Sequence, residues 1–263
     1  MKRVSKTERQ QQILAELRLA PHVRISELAE RFGVSTETVR RDVDTLSEQG
    51  LVSRAYGGAA ATPMAIQPSF GERNEAHLDE RIKIAERAAQ VPQHGEVLMI
   101  DAGSTTSQFA RRLAVTGRDL TVLTNSIPVA GALSSNDAID VILCPGDYNL
   151  SEAAVFGEET IAFLRRFRAN RAFIGASGLA ADGIMDANRA ASAVKRAMLS
   201  QSDKRYLLVD HFKFNQHMLS IVEPLTGVDA LISDISPKGA LLDALNAAGV
   251  CLIHGADSGG VAA

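Results

Sequence analysis

The chain has 263 residues with a formal net charge of −3, and its 46% hydrophobic content is enough to build the packed cores of two domains. It has no run of about 20 apolar residues and no apolar stretch at the N-terminus, which argues against a membrane-spanning helix and a secretory signal and predicts a cytoplasmic protein. Cys144 and Cys251 lie far apart without metal-ligand spacing and the six histidines form no convincing cluster, so we expect no disulfide framework, metal or cofactor.

Three helices are predicted in the first 50 residues. The first spans 7–19, with Thr7 as its cap. The second starts at Ser26 and is followed by Gly33, where a left-handed C-cap is expected, and Ser35 is a good N-cap for the third. Apolar residues recur at helical spacing in all three and are expected to share one core: Ile13, Leu14, Leu17, Leu28, Ala29, Phe32, Val39, Val43 and Leu46.

A β-hairpin and a linker follow these helices. The stretch LVSRAYGGAA predicts two short strands joined by a Tyr-Gly-Gly turn. Three helices followed by a hairpin are typical of a winged helix-turn-helix domain, which we assign to residues 1–60 as mostly α-helical with a small β-wing. Residues 61–74 contain two prolines and little periodicity, and they are predicted to be a linker.

Helices and apolar strands alternate over residues 75–254. Runs such as VLMI and LTVLT are almost wholly apolar, and amphipathic segments such as TTSQFARRL and RAASAVKRAMLSQ separate them. Strands of this kind are buried on both faces, so the second domain is predicted to be an α/β domain with a mostly parallel sheet covered by helices on both sides. The Gly- and Ala-rich end, residues 255–263, is predicted to be a flexible tail.

The start of the third helix combines hydroxyls with paired arginines in GVSTETVRRD. With Val39 and Val43 facing the core, a rotation of about 100° per residue carries the arginines to the exposed side. A helix in the major groove reads bases from its N-terminal turns, and guanidinium groups suit bidentate contact with guanine or phosphate. The candidate residues for binding double-stranded DNA are Ser35, Thr36, Thr38, Arg40 and Arg41 in the helix and Arg54 and Tyr56 in the wing.

Charge alone does not decide between DNA binding and an ordinary solvated surface. Residues 1–60 hold ten Lys/Arg and eight Asp/Glu, a net charge of +2, against −5 for the remainder. Arg40 and Arg41 could therefore simply pair with Glu37 or Asp44 on the helix surface. The agreement between the motif and the placement of the arginines favours DNA binding.

The first domain also carries a family signature. The segment ISELAERFGVSTETVRRDVDTLSEQGLVSRAYGGA resembles the N-terminal signature of the DeoR/GlpR family of bacterial transcriptional regulators. That signature has a serine, a Thr-[Val/Ile]-Arg-Arg-Asp core and a wing that ends in Gly-Gly-Ala. Ser35, Thr38–Asp42 and Gly57–Ala59 occupy those places, and Tyr56 stands where the family often has His.

A second candidate site lies in IDAGSTTSQFARRL, where an apolar strand ends at Asp101 and a helix begins. Gly103 is expected to free the backbone to turn. The hydroxyls of residues 104–106 and the unpaired N–H groups of the first helical turn would then form an anion cradle for a phosphate group. Such a loop is also often only a capped junction, and this one matches neither GxGxxG nor GxxxxGK[ST].

The resemblance to the DeoR/GlpR family continues along nearly the whole chain, in LTNS, CPGDY, IGASGL, AVKRAM and DHFKF. It implies a C-terminal domain that is similar to ribose-5-phosphate isomerase and senses a phosphorylated sugar or polyol. The effector-binding residues implied by the resemblance are Asp101, Gly103, Ser104, Thr105, Thr106, Asn125, Gly178, Lys195, Asp210 and Lys213. The hydroxyls would hold the phosphate, the lysines would add positive charge, and the Asp and Asn side chains would bond ligand hydroxyls.

Some of these residues have simpler explanations. Lys195 lies on a predicted helix, where an exposed lysine is commonplace, and Asp210 could cap a turn. Phe212 precedes Lys213 where the family often has Ser, and residues 189–190 are Arg and Ala where acidic residues are frequent. These differences predict an altered choice of ligand.

Together these features predict a DNA-binding repressor of a sugar or polyol catabolic operon, not an enzyme, that acts as a homodimer or homotetramer on repeated operator half-sites. A phosphorylated sugar or polyol would release it from the operator. One alternative is a sugar-phosphate isomerase or CoA-transferase-like enzyme with an accessory DNA-binding head, with Asp182, Asp186 and Asp210 as candidate bases. Another is a regulator that activates transcription or binds DNA without a small ligand.

Overall fold

The computed structural model describes residues 5–19, 22–48, 52–55, 58–61, 67–116 and 118–254. The chain divides into two units, Met1–Ile66 and Gln67–Ala263. The predicted tail at 255–263 lies outside the described residues. Within the described part, no helix combines the length and apolarity needed to cross a membrane.

The first unit has the three helices and the small antiparallel sheet of a winged helix-turn-helix domain. The helices are α1 (Lys6–Leu19), α2 (Ile25–Phe32) and α3 (Thr36–Glu48), and the strands are β1 (His22–Arg24), β2 (Val52–Ala55) and β3 (Gly58–Ala61), in the order β1-β3-β2. The prediction of three helices and a hairpin is confirmed. Strand β1 was not predicted, because three residues are too few for an alternating pattern to be recognised.

Capping sets the helix boundaries in this unit. Ser5, and not the predicted Thr7, caps α1: its N–H donates to Glu8 Oε2 at 3.0 Å, and its Oγ accepts from the Glu8 N–H at 3.3 Å. Gly33 ends α2 with a φ of 63°, the predicted left-handed C-cap. Ser35 Oγ accepts from the N–H three residues later at 3.2 Å and so begins α3.

The apolar stripes of the three helices meet in one core, as predicted. Its buried residues are Ile13, Leu17, Val23, Leu28, Ala29, Val39, Val43, Leu46 and Val52. Leu14 and Phe32, which were also expected there, pack against it from partly buried positions. Because burying each large aliphatic side chain contributes about 1.5–3 kcal/mol, this core fixes the rotation of α3 and therefore which of its residues face solvent.

The second unit is an α/β domain. Its helices are α4 (Phe70–Glu75), α5 (Leu78–Ala88), α6 (Ser104–Leu113), α7 (Ile127–Leu133), α8 (Glu158–Leu164), α9 (Arg189–Ser200) and α10 (Ala240–Ala247). Its strands are β4 (Val97–Ile100), β5 (Leu120–Thr124), β6 (Ile139–Leu143), β7 (Asp147–Asn149), β8 (Ala154–Phe156), β9 (Ala169–Ile174), β10 (Gly178–Ala180), β11 (Gly183–Asp186), β12 (Ser202–Leu208), β13 (Ser220–Glu223), β14 (Ala230–Ile232) and β15 (Cys251–Ile253).

Seven of these strands form one sheet in the order β15-β14-β12-β9-β4-β5-β6, and all its pairings are parallel. Helices α5–α7 bury residues such as Phe109 and Leu113 against one face, and α8–α10 bury Val194 and Met198 against the other. The predicted parallel sheet with two covered faces is therefore confirmed. Successive strands run outward from β4 in one direction and from β9 in the other, so a crevice opens where the carboxyl ends of these two strands meet.

Two smaller antiparallel sheets accompany the main one and were not predicted. Strand β7 pairs with β8, and β10, β11 and β13 form a three-stranded sheet. These strands have three or four residues each, and several contain Gly, Asp or Asn. Such composition is typical of turns, so the sequence pattern favoured loops at these positions.

The predicted linker, 61–74, differs from the structure at both ends. Its first residue belongs to β3, and its last five belong to α4. Ser69 and Glu72 start α4 by a capping box, in which each side chain accepts from the backbone N–H of the other residue. The capping pattern Ser-x-x-Glu is visible in the sequence, but a helix of six residues is too short to show apolar periodicity.

Candidate functional site

Helix α3 presents its N-terminal turns to solvent. The side chains of Arg40 and Arg41 are 60% and 79% exposed, and each lies 3.4 Å from a carboxylate oxygen of Glu37. Exposed helical ion pairs are worth about 0.3–0.5 kcal/mol, whereas a bidentate contact with a base is worth about 1–3 kcal/mol. The two arginines therefore do form surface ion pairs with Glu37, but these pairs are weaker than a contact with DNA and would not prevent one.

The hydroxyl residues at the start of α3 divide between capping and exposure. Ser35 and Thr38 share a hydrogen bond of 2.9 Å between their hydroxyl oxygens, in addition to the N-cap. Thr36 is exposed, and its hydroxyl has no hydrogen-bond partner among the described residues. Arg54 lies on β2, but its side chain and all of Tyr56 lie outside the described residues. The wing contacts therefore stay predictions.

Asp42, the last residue of the Thr-Val-Arg-Arg-Asp motif, points into the domain. Its carboxylate accepts a hydrogen bond of 2.5 Å from Arg9 Nε of α1, and the two side chains are 2% and 9% exposed. Asp42 therefore ties α3 to α1 and does not belong to the exposed face. Arg9 adds to the net charge of the first domain but contributes little exposed positive charge.

The crevice of the second unit begins with a buried charge cluster. Asp101 follows β4, and its Oδ1 accepts from the Gly175 N–H after β9 at 3.1 Å. Lys195, from α9, places its ammonium against Asp101 Oδ2 and 3.6 Å from Asp186 Oδ2. Lys195 is only 3% exposed, so the alternative of an exposed helical lysine is wrong.

Burial and the neighbouring charges shift the pKa values in this cluster. Burial raises the pKa of Asp101 to about 6, and the Lys195 ammonium and the Gly175 N–H offset only part of that rise. For Lys195, burial alone would lower the pKa, but the carboxyl groups of Asp101 and Asp186 outweigh it, so the pKa lies above its ordinary value. The lysine therefore remains an ammonium ion at neutral pH.

A pocket that is partly open to solvent lies beside this cluster. Gly103, Ser104 and Thr105 form its wall at the N-terminus of α6, where first-turn N–H groups and the helix dipole favour an anion. Four cationic and two acidic side chains also line it: Arg73, Arg81, Lys195, Lys213, Glu152 and Asp186. The excess of cations beside a helix N-terminus suits a small molecule that carries a phosphate group.

One wall of the pocket is held by a hydrogen-bonded network. Arg73 Nη2 donates to Glu152 Oε2 at 2.7 Å, and the two side chains are 11% and 10% exposed. Gln67 Nε2 donates to Glu152 Oε1 at 2.9 Å, and Gln67 Oε1 accepts from Ser177 Oγ at 2.5 Å. Burial acts to raise the pKa of Glu152, but the bonds from Arg73 and Gln67 outweigh it, so the pKa lies below its ordinary value and the carboxylate is charged at neutral pH.

Arg81 and Asp210 form an incomplete pair behind the pocket. Arg81 Nη1 donates to the carbonyl oxygens of Arg73 and Ala76, while Arg81 Nε lies 3.9 Å from Asp210 Oδ2. Asp210 is 1% exposed, and neither carboxylate oxygen accepts a hydrogen bond from the described residues. Burial lowers the pKa of Lys213, and Asp210 offsets only part of this effect. Unpartnered buried oxygens are costly, so Asp210 is suited to accept hydrogen bonds from a ligand.

The structure brings half of the predicted effector-binding residues into the pocket lining. Those that line it are Gly103, Ser104, Thr105, Lys195 and Lys213. Asp101 and Asn125 instead border a smaller void that Lys195 also lines. Asn125 Nδ2 donates to Val155 O at 2.9 Å, and its Oδ1 has no hydrogen-bond partner among the residues described.

The structure corrects three of the expected roles. Thr106 is fully buried and its hydroxyl donates to the Gly103 carbonyl at 3.1 Å, so it is not part of the cradle. Gly103 has a φ of 168°, an extended conformation open to any residue, and therefore does not supply the expected turn. Gly178 lies on β10 outside the described lining, and a Cβ there would stand 2.3 Å from the Gln216 carbonyl oxygen, so crowding requires the glycine.

Arg73, Arg81 and Glu152 were not predicted to contribute to the site. For Arg81 a signal exists in the sequence, because it shares a helical face with Ile84 and Ala88, and an arginine on a buried face requires a partner. Arg73 lies within the predicted linker, and Glu152 lies in the turn between β7 and β8. No local pattern relates these two residues, which are 79 positions apart.

The three carboxylates considered as bases for an enzyme lie in different surroundings. Asp182 is exposed and lies 3.2 Å from His217 Nε2. Asp186 is buried at the pocket, where its Oδ1 accepts from the Asn188 N–H at 2.9 Å. Asp210 is buried next to Arg81, as described above. In the described ranges, His, Cys, Asp and Glu side chains form no group of three or more that could hold a metal ion.

Comparison with known proteins assigns both units. Residues 9–63 match the family model described as the DeoR-like helix-turn-helix domain, and residues 76–235 match the DeoR C terminal sensor domain. The chain belongs to the DeoR family. It is thus a DNA-binding transcriptional regulator with a C-terminal sensor domain, which confirms the family that the sequence resembles.

Other members of the DeoR family are similar along most of their length. The glycerol-3-phosphate regulon repressor of Escherichia coli (strain K12) is 30% identical over 243 residues, which cover 92% of this chain and 96% of that protein. The lactose phosphotransferase system repressor of Lactococcus lactis subsp. lactis is 28% identical over 240 residues, covering 89% and 94%. Among solved structures, ribose 5-phosphate isomerase A from Neisseria gonorrhoeae is 20% identical with a TM-score of 0.39, covering 51% of this chain and 52% of that one.

Proposed function

We propose that this DeoR-family regulator is a repressor of a sugar or polyol catabolic operon, which leaves its operator when a phosphorylated sugar or polyol binds in the pocket. The observation that carries the proposal is the pocket itself, where cationic side chains meet the N-terminus of α6 in a chain that also has exposed arginines on α3. The relatives named as repressors for glycerol 3-phosphate and for the lactose phosphotransferase system support it.

The proposed DNA interface is the exposed face of α3 together with the wing. Arg40 and Arg41 contact guanine edges or phosphates, and Thr36 bonds a backbone oxygen beside the capping residues Ser35 and Thr38. Arg54 and Tyr56 would contact the backbone or minor groove alongside. Since each subunit offers one recognition helix, a homodimer or homotetramer would bind repeated half-sites, and we expect it to do so in the cytoplasm.

The proposed effector places its phosphate at the N-terminus of α6, on Ser104 and Thr105. Lys213 is the stronger candidate for the charge contact, because its ammonium has no hydrogen-bond or ion-pair partner among the described residues, whereas Lys195 is held by Asp101 and Asp186. Asp210 and Asn125 lie outside the pocket lining, so their unpartnered oxygens would bond hydroxyls only of a ligand that extends beyond the pocket.

We further propose that the pocket binds its ligand without converting it. Of the carboxylates considered as bases, Asp186 lines the pocket, but it already accepts from the Asn188 N–H and lies beside the Lys195 ammonium. Both of its carboxylate oxygens are thus already engaged by groups of the chain, which leaves it poorly placed to remove a proton from a sugar carbon. Turnover of ribose 5-phosphate by the purified full chain would contradict this part of the proposal.

DNA binding by the full chain is tested by titrating a labelled fragment from upstream of its own gene. Arg40→Ala and Arg41→Ala should each weaken binding by about 1–3 kcal/mol where the arginine reads a base. Arg111→Ala, an exposed arginine on α6, is the matched control and should bind as the wild type does. Wild-type affinity in both α3 variants would refute the interface.

Effector binding is tested with a panel of sugar and polyol phosphates. A true effector should raise the melting temperature, since a ligand at 100 times its Kd adds about 2.7 kcal/mol of stability. It should also lower operator affinity by about 5- to 150-fold, the usual range of allosteric coupling. Lys213→Ala should reduce both effects. A panel without any stabilising compound would contradict the proposed sensor role.

A further inference from the structure

The ion pair between Arg73 and Glu152 faces a pocket that we propose takes an anion. Arg73 holds both oxygens of the carboxylate, with Nη2 at 2.7 Å from Oε2 and Nη1 at 3.4 Å from Oε1. The same guanidinium fork fits a phosphate, so the carboxylate occupies a position that a phosphate could take. A charged carboxylate beside the binding space also repels an incoming anion.

Glu152 also accepts a hydrogen bond from Gln67, the residue at which the chain enters the sensor domain. Gln67 is the first residue of the second unit, directly after Ile66, the last residue of the first. Its side chain is held at both ends, by Glu152 at 2.9 Å and by Ser177 at 2.5 Å. One carboxylate therefore connects a pocket cation to the segment that leads from the DNA-binding unit.

On the basis of the proposed function, we propose that Glu152 is an internal competitor of the effector's phosphate for Arg73. Without effector, Glu152 neutralises the guanidinium and anchors Gln67. When the phosphate takes Arg73, Glu152 loses its partner and is repelled, which weakens its bond to Gln67. Glu152 therefore sets the concentration at which the effector acts, and its bond to Gln67 connects occupation of the pocket to the residue that begins the sensor unit.

The experiment measures the affinity of the full chain for inorganic phosphate and for glycerol 3-phosphate by calorimetry at neutral pH. Glu152→Gln keeps the shape and an acceptor oxygen but removes the charge, and it should bind both probes about tenfold more tightly than the wild type. Arg73→Ala should bind them more weakly. The double variant Arg73→Ala/Glu152→Gln should not show the tighter binding of Glu152→Gln, because it has no guanidinium for the phosphate to contact.

Glu159→Gln is the matched control, since it removes an exposed carboxylate from the first turn of α8 outside the pocket lining. It should leave both affinities unchanged. The amount of glycerol 3-phosphate needed to release the operator should fall in Glu152→Gln by the same factor as its Kd.

Equal affinities of the wild type and Glu152→Gln would overturn the inference while leaving the proposed effector pocket intact. Unchanged phosphate affinity in Arg73→Ala would overturn it independently, even where Glu152→Gln fails to fold. Absence of binding of both probes to the wild type and to every variant would refute this inference, and the proposed function would then rest on the wider panel of sugar phosphates.

Discussion

Replacement of Lys195 by Met removes an ammonium from between two buried carboxyl groups. The side chain of Lys195 is 4% exposed, and those of Asp101 and Asp186 are 1% and 5% exposed. Methionine has a similar length, so the change leaves little cavity and its effect is mainly electrostatic. Removing one partner of a buried ion pair costs about 3–5 kcal/mol, which for a domain of this size lowers the melting temperature by about 6–20 °C.

The size of this loss should depend on pH through Asp101. Its pKa is about 6 in the folded protein against an ordinary value of 3.8, and loss of the ammonium raises the folded value further. An acid whose pKa is raised by folding contributes stability that is present at low pH and is lost as pH rises through its folded pKa. In the wild type this loss of stability ends once the pH exceeds about 6. In the variant the folded pKa of Asp101 is higher, so the loss of stability continues to higher pH. The deficit of the variant should therefore be larger at about pH 8 than at about pH 5.

Thermal unfolding of the full chain, followed by circular dichroism at both pH values, measures the deficit. Lys83→Met on α5 is the matched control, because it makes the same substitution at an exposed helical position. Adding Asp101→Asn to Lys195→Met should restore part of the stability by removing a carboxylate that has lost its partner. A wild-type melting temperature for Lys195→Met at about pH 8, or a deficit that grows on acidification, would refute the electrostatic explanation.

Three further substitutions test separate parts of the structure. Asp42→Ala removes the buried ion pair with Arg9 of α1, and it should lower the free energy of unfolding of the first unit by about 3–5 kcal/mol, as measured by urea titration. An unfolding free energy equal to that of the wild type would contradict the ion pair. Gly178→Ala should lower the free energy of unfolding by about 1–3 kcal/mol, because the added Cβ clashes with the Gln216 carbonyl, and it should leave the affinity for phosphate unchanged. A weaker phosphate affinity in this variant would show that Gly178 contributes to ligand binding. If Arg41 contacts a DNA phosphate, Arg41→Ala should reduce the slope of log affinity against log salt by about 1, and an identical slope would exclude that contact.

The winged helix-turn-helix domain and the class of the second domain were predictable because they depend on relations between near neighbours in the chain. Gly33 ends α2 and Ser35 caps α3, and the buried Val39 and Val43 at a spacing of four leave the arginines of α3 exposed, all within one short stretch of sequence. The start of α6 at Ser104 was predictable for the same reason, since a helix that follows an apolar strand has its first N–H groups free wherever it lies.

Which charges are buried, and which residues share the pocket, depends on contacts between segments that are far apart in the chain. The bonds of Arg9 with Asp42, of Arg73 with Glu152 and of Lys195 with Asp101 join positions that are 33, 79 and 94 residues apart. Local periodicity and capping contain no information about such pairs, because their partners meet only when whole helices and strands pack. Local patterns along the chain therefore specify the main elements and the exposed face of α3, while the packing of distant segments sets which residues line the pocket.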